Sequence, residues 1–199
     1  TANAAILAAV PASSNPGTTY TLTTAFETLV GTAADDIFNA GVTGAAGAAL
    51  TVETLSQLDS ITGGAGNDVL NYTAIGATPL LGTVHGVEKI NVVTDANLTV
   101  STVTSEITGV TSIVGRTIGG AVDIDTSSDV TSVTITGSAA AVAITDNGTA
   151  TVADVLSTIT VNNSTAALTL QSDALTTLNL SATGNNATVT AAAGTRALT

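Results

Sequence analysis

The 199-residue chain is 44% hydrophobic but only 2% aromatic and has no Cys, Met or Trp, so its core must be built from small and β-branched side chains, which suits thin, closely stacked sheets. Fifteen acidic residues against three basic ones give a formal charge of −12, which argues against nucleic acid, because phosphate binding needs clusters of Lys and Arg. The absence of cysteine removes disulfides and thiolate metal sites, and with no apolar run of about 18 residues no membrane insertion is expected.

In chain order, Thr1 to Val10 are alanine-rich with modest helical potential, and Pro11-Ala12-Ser13-Ser14-Asn15-Pro16-Gly17 has the composition of a linker. Residues 1–18 are expected to lead in from an upstream domain, the chain being a piece of a larger protein.

Residues 19–80 hold an internal repeat. Glu27 to Asn39 (ETLVGTAADDIFN) aligns without a gap on Asp59 to Asn71 (DSITGGAGNDVLN). Within the second copy, Gly63-Gly64-Ala65-Gly66-Asn67-Asp68-Val69-Leu70-Asn71 fits the nonapeptide G-G-x-G-x-D-x-U-x at every specified position, a pattern that binds calcium in a parallel β-roll. The residue types suit that chemistry: glycines turn the backbone tightly enough for carbonyl oxygens to converge, Asp68 adds a carboxylate, and Leu70 pins the next strand into a core. Asp68 and Asp36 are expected as the main ligands, with Asp35, Asn67, Asp59 and Glu27 as further contributors. Backbone oxygens around Gly31, Ala33, Gly63 and Ala65 would fill the shell of a cation that wants about six to eight oxygens. The plainer reading of the same residues is a tight turn with a cap. In the first copy Thr32 and Ala34 replace Gly64 and Gly66, so that turn must carry more strain or take a different geometry.

Residues 81–199 repeat differently. Apolar sets recur at Val87, Ile90 and Val92, at Val110 and Ile113, at Val130, Val133 and Ile135, at Leu156, Ile159 and Val161, and at Leu175, Leu178 and Leu180. Between them lie alternating pairs: Leu98 and Val100, Val122 and Ile124, Val142 and Ile144, Leu168 and Leu170, Ala187 and Val189. Two short strands per unit at this spacing predict an all-β chain, a parallel β-solenoid or β-roll of about five two-stranded coils after the repeat pair. A β-sandwich is the alternative, but Asn147-Gly148 is the one clear Asn-Gly hairpin signal. Asp95, Asp123, Asp125, Asp129, Asp146, Asp154 and Asp173 fall at predicted strand ends, either as turn-formers or as parts of further cation sites.

His85 is the only histidine, and the chain has no H-E-x-x-H, no cysteine and no G-x-S-x-G, so an enzyme is not expected.

Taken together, Gly63 to Asn71, Tyr20-Thr21-Leu22-Thr23-Thr24, Val30-Gly31-Thr32 with Asp36-Ile37-Phe38, and Gly86-Val87-Glu88-Lys89-Ile90-Asn91-Val92 resemble bacterial surface-layer (S-layer) proteins of the RTX class, over about Tyr20 to Val92. The resemblance implies a calcium-dependent β-solenoid exported by type I secretion to the extracellular face of the bacterial cell. It also implies copies assembling with one another into a lattice or filament, with a surface polysaccharide as anchor. The chain departs from that class in lacking two glycines of the first repeat and a long tandem array. An RTX adhesin, a biofilm-matrix protein, or the secretion module of a secreted enzyme are the other members that the same residues would fit.

Overall fold

A computed structural model of the chain describes residues 16–44, 52–76, 82–104, 106–147, 153–184 and 187–190. Thr1 to Val10, the linker up to Asn15, and Gly194 to Thr199 lie outside them. Every regular element described is a strand, and all strand pairings but one are parallel.

A broad sheet runs the length of the molecule. Its eight strands follow in the order β1 (Pro16–Thr21), β3 (Asp35–Ala40), β7 (Val69–Ala74), β9 (Lys89–Thr94), β12 (Ser112–Thr117), β14 (Ser132–Ser138), β16 (Thr158–Ser164) and β18 (Thr177–Ser181). A narrow sheet of β2 (Thr28–Val30), β6 (Ser60–Thr62), β8 (Thr83–His85) and β11 (Ile107–Thr108) closes the first coils. A five-stranded sheet of β10 (Leu98–Ser101), β13 (Val122–Thr126), β15 (Val142–Asp146), β17 (Leu168–Gln171) and β19 (Ala187–Thr190) closes the later ones. The chain is thus a β-solenoid whose last five coils, from β9/β10 to β18/β19, are the two-stranded units that the spacing predicts. The exception to parallel pairing is β4 (Val42–Thr43) with β5 (Val52–Glu53), an antiparallel pair that follows β3.

The alternation of side chains explains why these segments become strands. In β9 the pattern places Ile90, Val92 and Thr94 inside and Lys89, Asn91 and Val93 outside, as a period of two requires. The expected apolar sets and pairs from Val87 to Leu175 are buried in one continuous cluster, and each fully buried Val, Leu or Ile contributes on the order of 1.5–3 kcal/mol. Leu178 is only partly buried and Leu180 is 38% exposed, because β18 is the last strand of the broad sheet. The set at Val110 and Ile113 lacks a third member because Gly115 occupies that place. A Cβ on Gly115 would meet Leu98 Cδ2 at 2.5 Å and Ile135 Cδ1 at 2.9 Å, so these neighbours already fill the space.

The gapless alignment of the repeat is also its pairing register. Thr28 pairs with Ser60, Leu29 with Ile61, Ile37 with Val69 and Phe38 with Leu70. The two copies are therefore adjacent rungs. Phe38 is fully buried and stacks on Tyr20 of the preceding rung, with ring centroids 4.9 Å apart. Pairing runs on from β7 to β9 and from β6 to β8, so both sheets continue past residue 80.

Candidate metal centre

The broad sheet's register puts one residue of each coil, near the start of the strand or just ahead of it, into a single column. That column begins Thr18, Asp36, Asp68, Glu88, since Ile37 pairs with Val69 and Val69 with Lys89. The carboxylates are wired to the backbone of the preceding rung. Thr18 N donates to Asp36 Oδ1 at 2.5 Å, Asp36 N to Asp68 Oδ1 at 2.7 Å, and Asp68 N to Glu88 Oε2 at 2.7 Å. Beyond Glu88 the column changes to Thr111, Thr131, Ser157 and Thr176, whose hydroxyls each donate to the backbone carbonyl of the residue one rung back, at 3.1–3.3 Å. Three stacked acids therefore lie at the repeat pair and the coil after it, and neutral hydroxyls take over below.

The two Asp residues of the repeat are both fully buried but differ in what surrounds them. In the first copy Thr32 donates to Asp36 through both its N–H and its hydroxyl. The Thr32 N–H bond outweighs burial and, with the Thr18 N–H, holds the Asp36 carboxyl below its ordinary value. In the second copy Gly64 stands where Thr32 stood and has φ +113°, and Gly66 has φ +133°. No side chain or amide meets Asp68 Oδ2, which is buried and unpartnered. Burial pushes the Asp68 carboxyl up despite the Asp36 N–H bond, and the negative charges of Glu88, Asp36 and Asp35 push the same way.

Two glycines shape the cradle. A Cβ on Gly63 would lie 1.8 Å from Gly86 O and 2.4 Å from Asp68 Oδ2, so both oxygens crowd the Gly63 backbone and only a glycine fits between the turns. Gly31 repeats the arrangement, with Gly63 O at 1.8 Å and Asp36 Oδ2 at 2.6 Å from the same construction. Thr32 and Ala34 are not among the residues of positive φ. Of the two outcomes open to the first turn, it takes a different geometry without left-handed strain.

The remaining expected ligands serve the stacking of the turns. Asp59 takes Glu27 N at 2.8 Å on one oxygen and Ser56 N at 2.6 Å on the other. Glu27 folds back on Thr23 N and Oγ1. Exposed Asp35 accepts Asn67 N at 2.8 Å, and Ala65 N reaches Thr32 O at 3.1 Å, so the second turn hangs on the first. Ala33 is exposed at the tip.

Two participants escape a motif-based reading. Glu88 lies outside the nonapeptide, yet acid-x-aliphatic-Asn recurs at Asp68-Val69-Leu70-Asn71 and Glu88-Lys89-Ile90-Asn91, with Asp36-Ile37-Phe38-Asn39 as the aromatic version. The asparagines of these units form their own ladder, Asn71 Nδ2 donating to Asn39 Oδ1 at 2.9 Å and Asn91 Nδ2 to Asn71 Oδ1 at 2.8 Å. Gly86 enters through its carbonyl, which leaves no side-chain signal.

Among the described residues no three His, Cys, Asp or Glu side chains converge as a metal-binding group. A cation at the second turn would thus be held by one carboxylate, backbone oxygens and water. Compared with protein-family models and with curated proteins, the chain matches none. Orphaned Asp68 Oδ2 and Gly86 O, both close to Gly63, are oxygen donors, which suit a hard cation such as calcium. The first turn, with its carboxylate satisfied by Thr32, does not fit one.

Proposed function

We propose that the chain is a structural segment of a calcium-dependent extracellular layer that assembles on a bacterial cell, with calcium held at the second turn. The observation that carries the calcium half is the buried, unpartnered Asp68 Oδ2 beside Gly86 O. An anion in that position costs several kcal/mol when uncompensated. A bound calcium ion would supply the missing positive charge and tie the turn to the next coil. Asp68 would hold it through Oδ2 while Oδ1 keeps the Asp36 N–H, and the bare Gly63 lets Gly86 O and Asp68 Oδ2 approach the same spot. Glu88 positions Asp68 by accepting its N–H. The layer half is supported by the acidic composition and by the resemblance of Tyr20 to Val92 to RTX surface-layer proteins.

Extracellular calcium modules bind at about 10⁻⁴–10⁻³ M. Titration calorimetry of this chain should therefore register binding at roughly millimolar calcium, and Asp68→Asn should abolish it. Asp36→Asn, at the satisfied turn, should leave the binding in place. Equal losses from both variants would overturn the assignment to one turn, and binding unaffected by Asp68→Asn would overturn the site. Electron microscopy of the secreted protein with calcium addresses the layer: an ordered array supports it, and dispersed fibres or monomers favour an adhesin or matrix protein.

A further inference from the structure

The two basic residues among the described part of the chain, Lys89 and Arg116, stand on the same surface: the outer face of the broad sheet. They occupy neighbouring strands, and Val93 pairs with Arg116. From β7 to β18 no outward position of that sheet is acidic, in a chain with fifteen Asp and Glu. Its outward residues are otherwise Ser, Thr and Asn, with aliphatic positions that include Val93, 37% exposed, and Val114. Neither the Lys89 ammonium nor the Arg116 guanidinium has an ion-pair partner among the described residues. The five-stranded sheet, whose inner face packs against the same core, shows the opposite charge. Asp123 and Asp125 alternate outward on β13, and neither carboxylate has a partner among the described residues.

We infer that the broad face of one molecule docks on the five-stranded face of a second copy, with Lys89 and Arg116 meeting Asp123 and Asp125. The complementary charges lie on different surfaces, so the contact is heterologous: each copy keeps a free face for the next, and the contact repeats from copy to copy into a ring or a filament. Lys89 and Arg116 are four residues apart in strand register, about 13 Å, and Asp123 and Asp125 about 7 Å, a difference that the long basic side chains can span. Six strands about 4.8 Å apart and about six residues long offer a face of roughly 30 by 20 Å. The five-stranded face it meets, with strands of four or five residues, is smaller, about 24 by 15 Å, so the two copies bury on the order of 700 Å², the size of a weak, transient contact. Arg with aliphatic neighbours is the composition enriched at interface centres. The proposal deepens the assembly half of the reading above and does not need the calcium half.

Charge exchange tests it. The wild-type chain, Lys89→Glu/Arg116→Glu, Asp123→Lys/Asp125→Lys and an equimolar mixture of the two double variants are compared by sedimentation velocity at low and high salt, with calcium and with chelator. Circular dichroism confirms that each variant is folded. The expected result is concentration-dependent association of the wild type that weakens with salt, at least tenfold weaker self-association of each variant, and recovery in the mixture, where both contacts between unlike variants are complementary, as assemblies of alternating composition. A wild type that stays monomeric at every concentration overturns the docking while leaving calcium binding at Asp68 intact. Loss in the basic-face variant without recovery in the mixture also overturns the proposal, because the broad face would then meet a surface other than Asp123 and Asp125. Recovery in the mixture without any calcium binding would sink the Asp68 site and keep the docking.

Discussion

A single atom separates the two turns of the repeat. Asp36 and Asp68 occupy equivalent, fully buried places, yet Thr32 satisfies one carboxylate, whereas Gly64 leaves the other with an orphaned oxygen. The motif made Asp68 legible in the sequence, but not that its partner copy had closed its own site, because that depends on where the Thr32 amide and hydroxyl point. Asp146 makes the same lesson general. It sits in a buried column with Thr102, Thr126 and Ser172, its Oδ2 accepting from Val155 N, Leu156 N and Ser172 Oγ, while Oδ1 has no partner. Burial raises its carboxyl above the ordinary value, and the charge of Asp154 adds to the rise. A carboxyl whose pKa is raised on folding contributes stability below its unfolded value that is lost as pH rises through the folded one. In chelator the urea midpoint of the wild type should fall as pH is raised from about 4 to 7, with Asp68 acting in the same direction. Asp146→Asn should flatten the fall, and an unchanged slope would remove Asp146 as a cause. Asp36 acts with the opposite sign, losing its contribution only as pH drops through its lowered value.

At the scale of elements, periodicity located nearly every strand of the later coils, since inward Ile, Val and Leu alternate with outward Ser, Thr and Asn. The narrow sheet of β2, β6, β8 and β11 was harder to see. Its strands are only two or three residues long, and each buries at most one side chain: Ile61 in β6, Val84 in β8, Ile107 in β11, too few for a period to show. The β4 and β5 pair carries no turn dipeptide that would announce it. Turns set how closely coils approach, and here the glycines are unequal. Gly63→Ala would drive a methyl into Gly86 O and Asp68 Oδ2, and backbone on one side cannot swing aside. That substitution should lower stability by at least about 2 kcal/mol, within the range of buried overpacking. Gly76→Ala serves as the reference: Gly76 has φ +79°, unlike Gly63, but nothing lies within 4 Å of the added Cβ, so it should cost only about 1 kcal/mol from backbone strain. Thermal unfolding of both variants checks this, and an equal cost would show that the cradle is not close-packed.

Across the whole molecule, each coil contacts mainly the one before and the one after, so stability is close to a sum of rungs and interfaces. Three stacked acids in such a column repel at a spacing of about 4.8 Å, and the wiring of each carboxylate to the preceding rung's amide offsets part of that. On the proposed function a cation completes the middle one, and its absence should be felt locally at β6, β7 and the turn joining them, and in the coils on either side. Amide hydrogen exchange across the whole chain is the most direct measurement. With millimolar calcium the amides from Gly63 to Leu70 should be protected together with β7 and β9; in chelator they should exchange at least tenfold faster, while those of β14 and β15 change less. Equal protection of Gly63 to Leu70 with calcium and with chelator would contradict calcium as the ion that completes this turn.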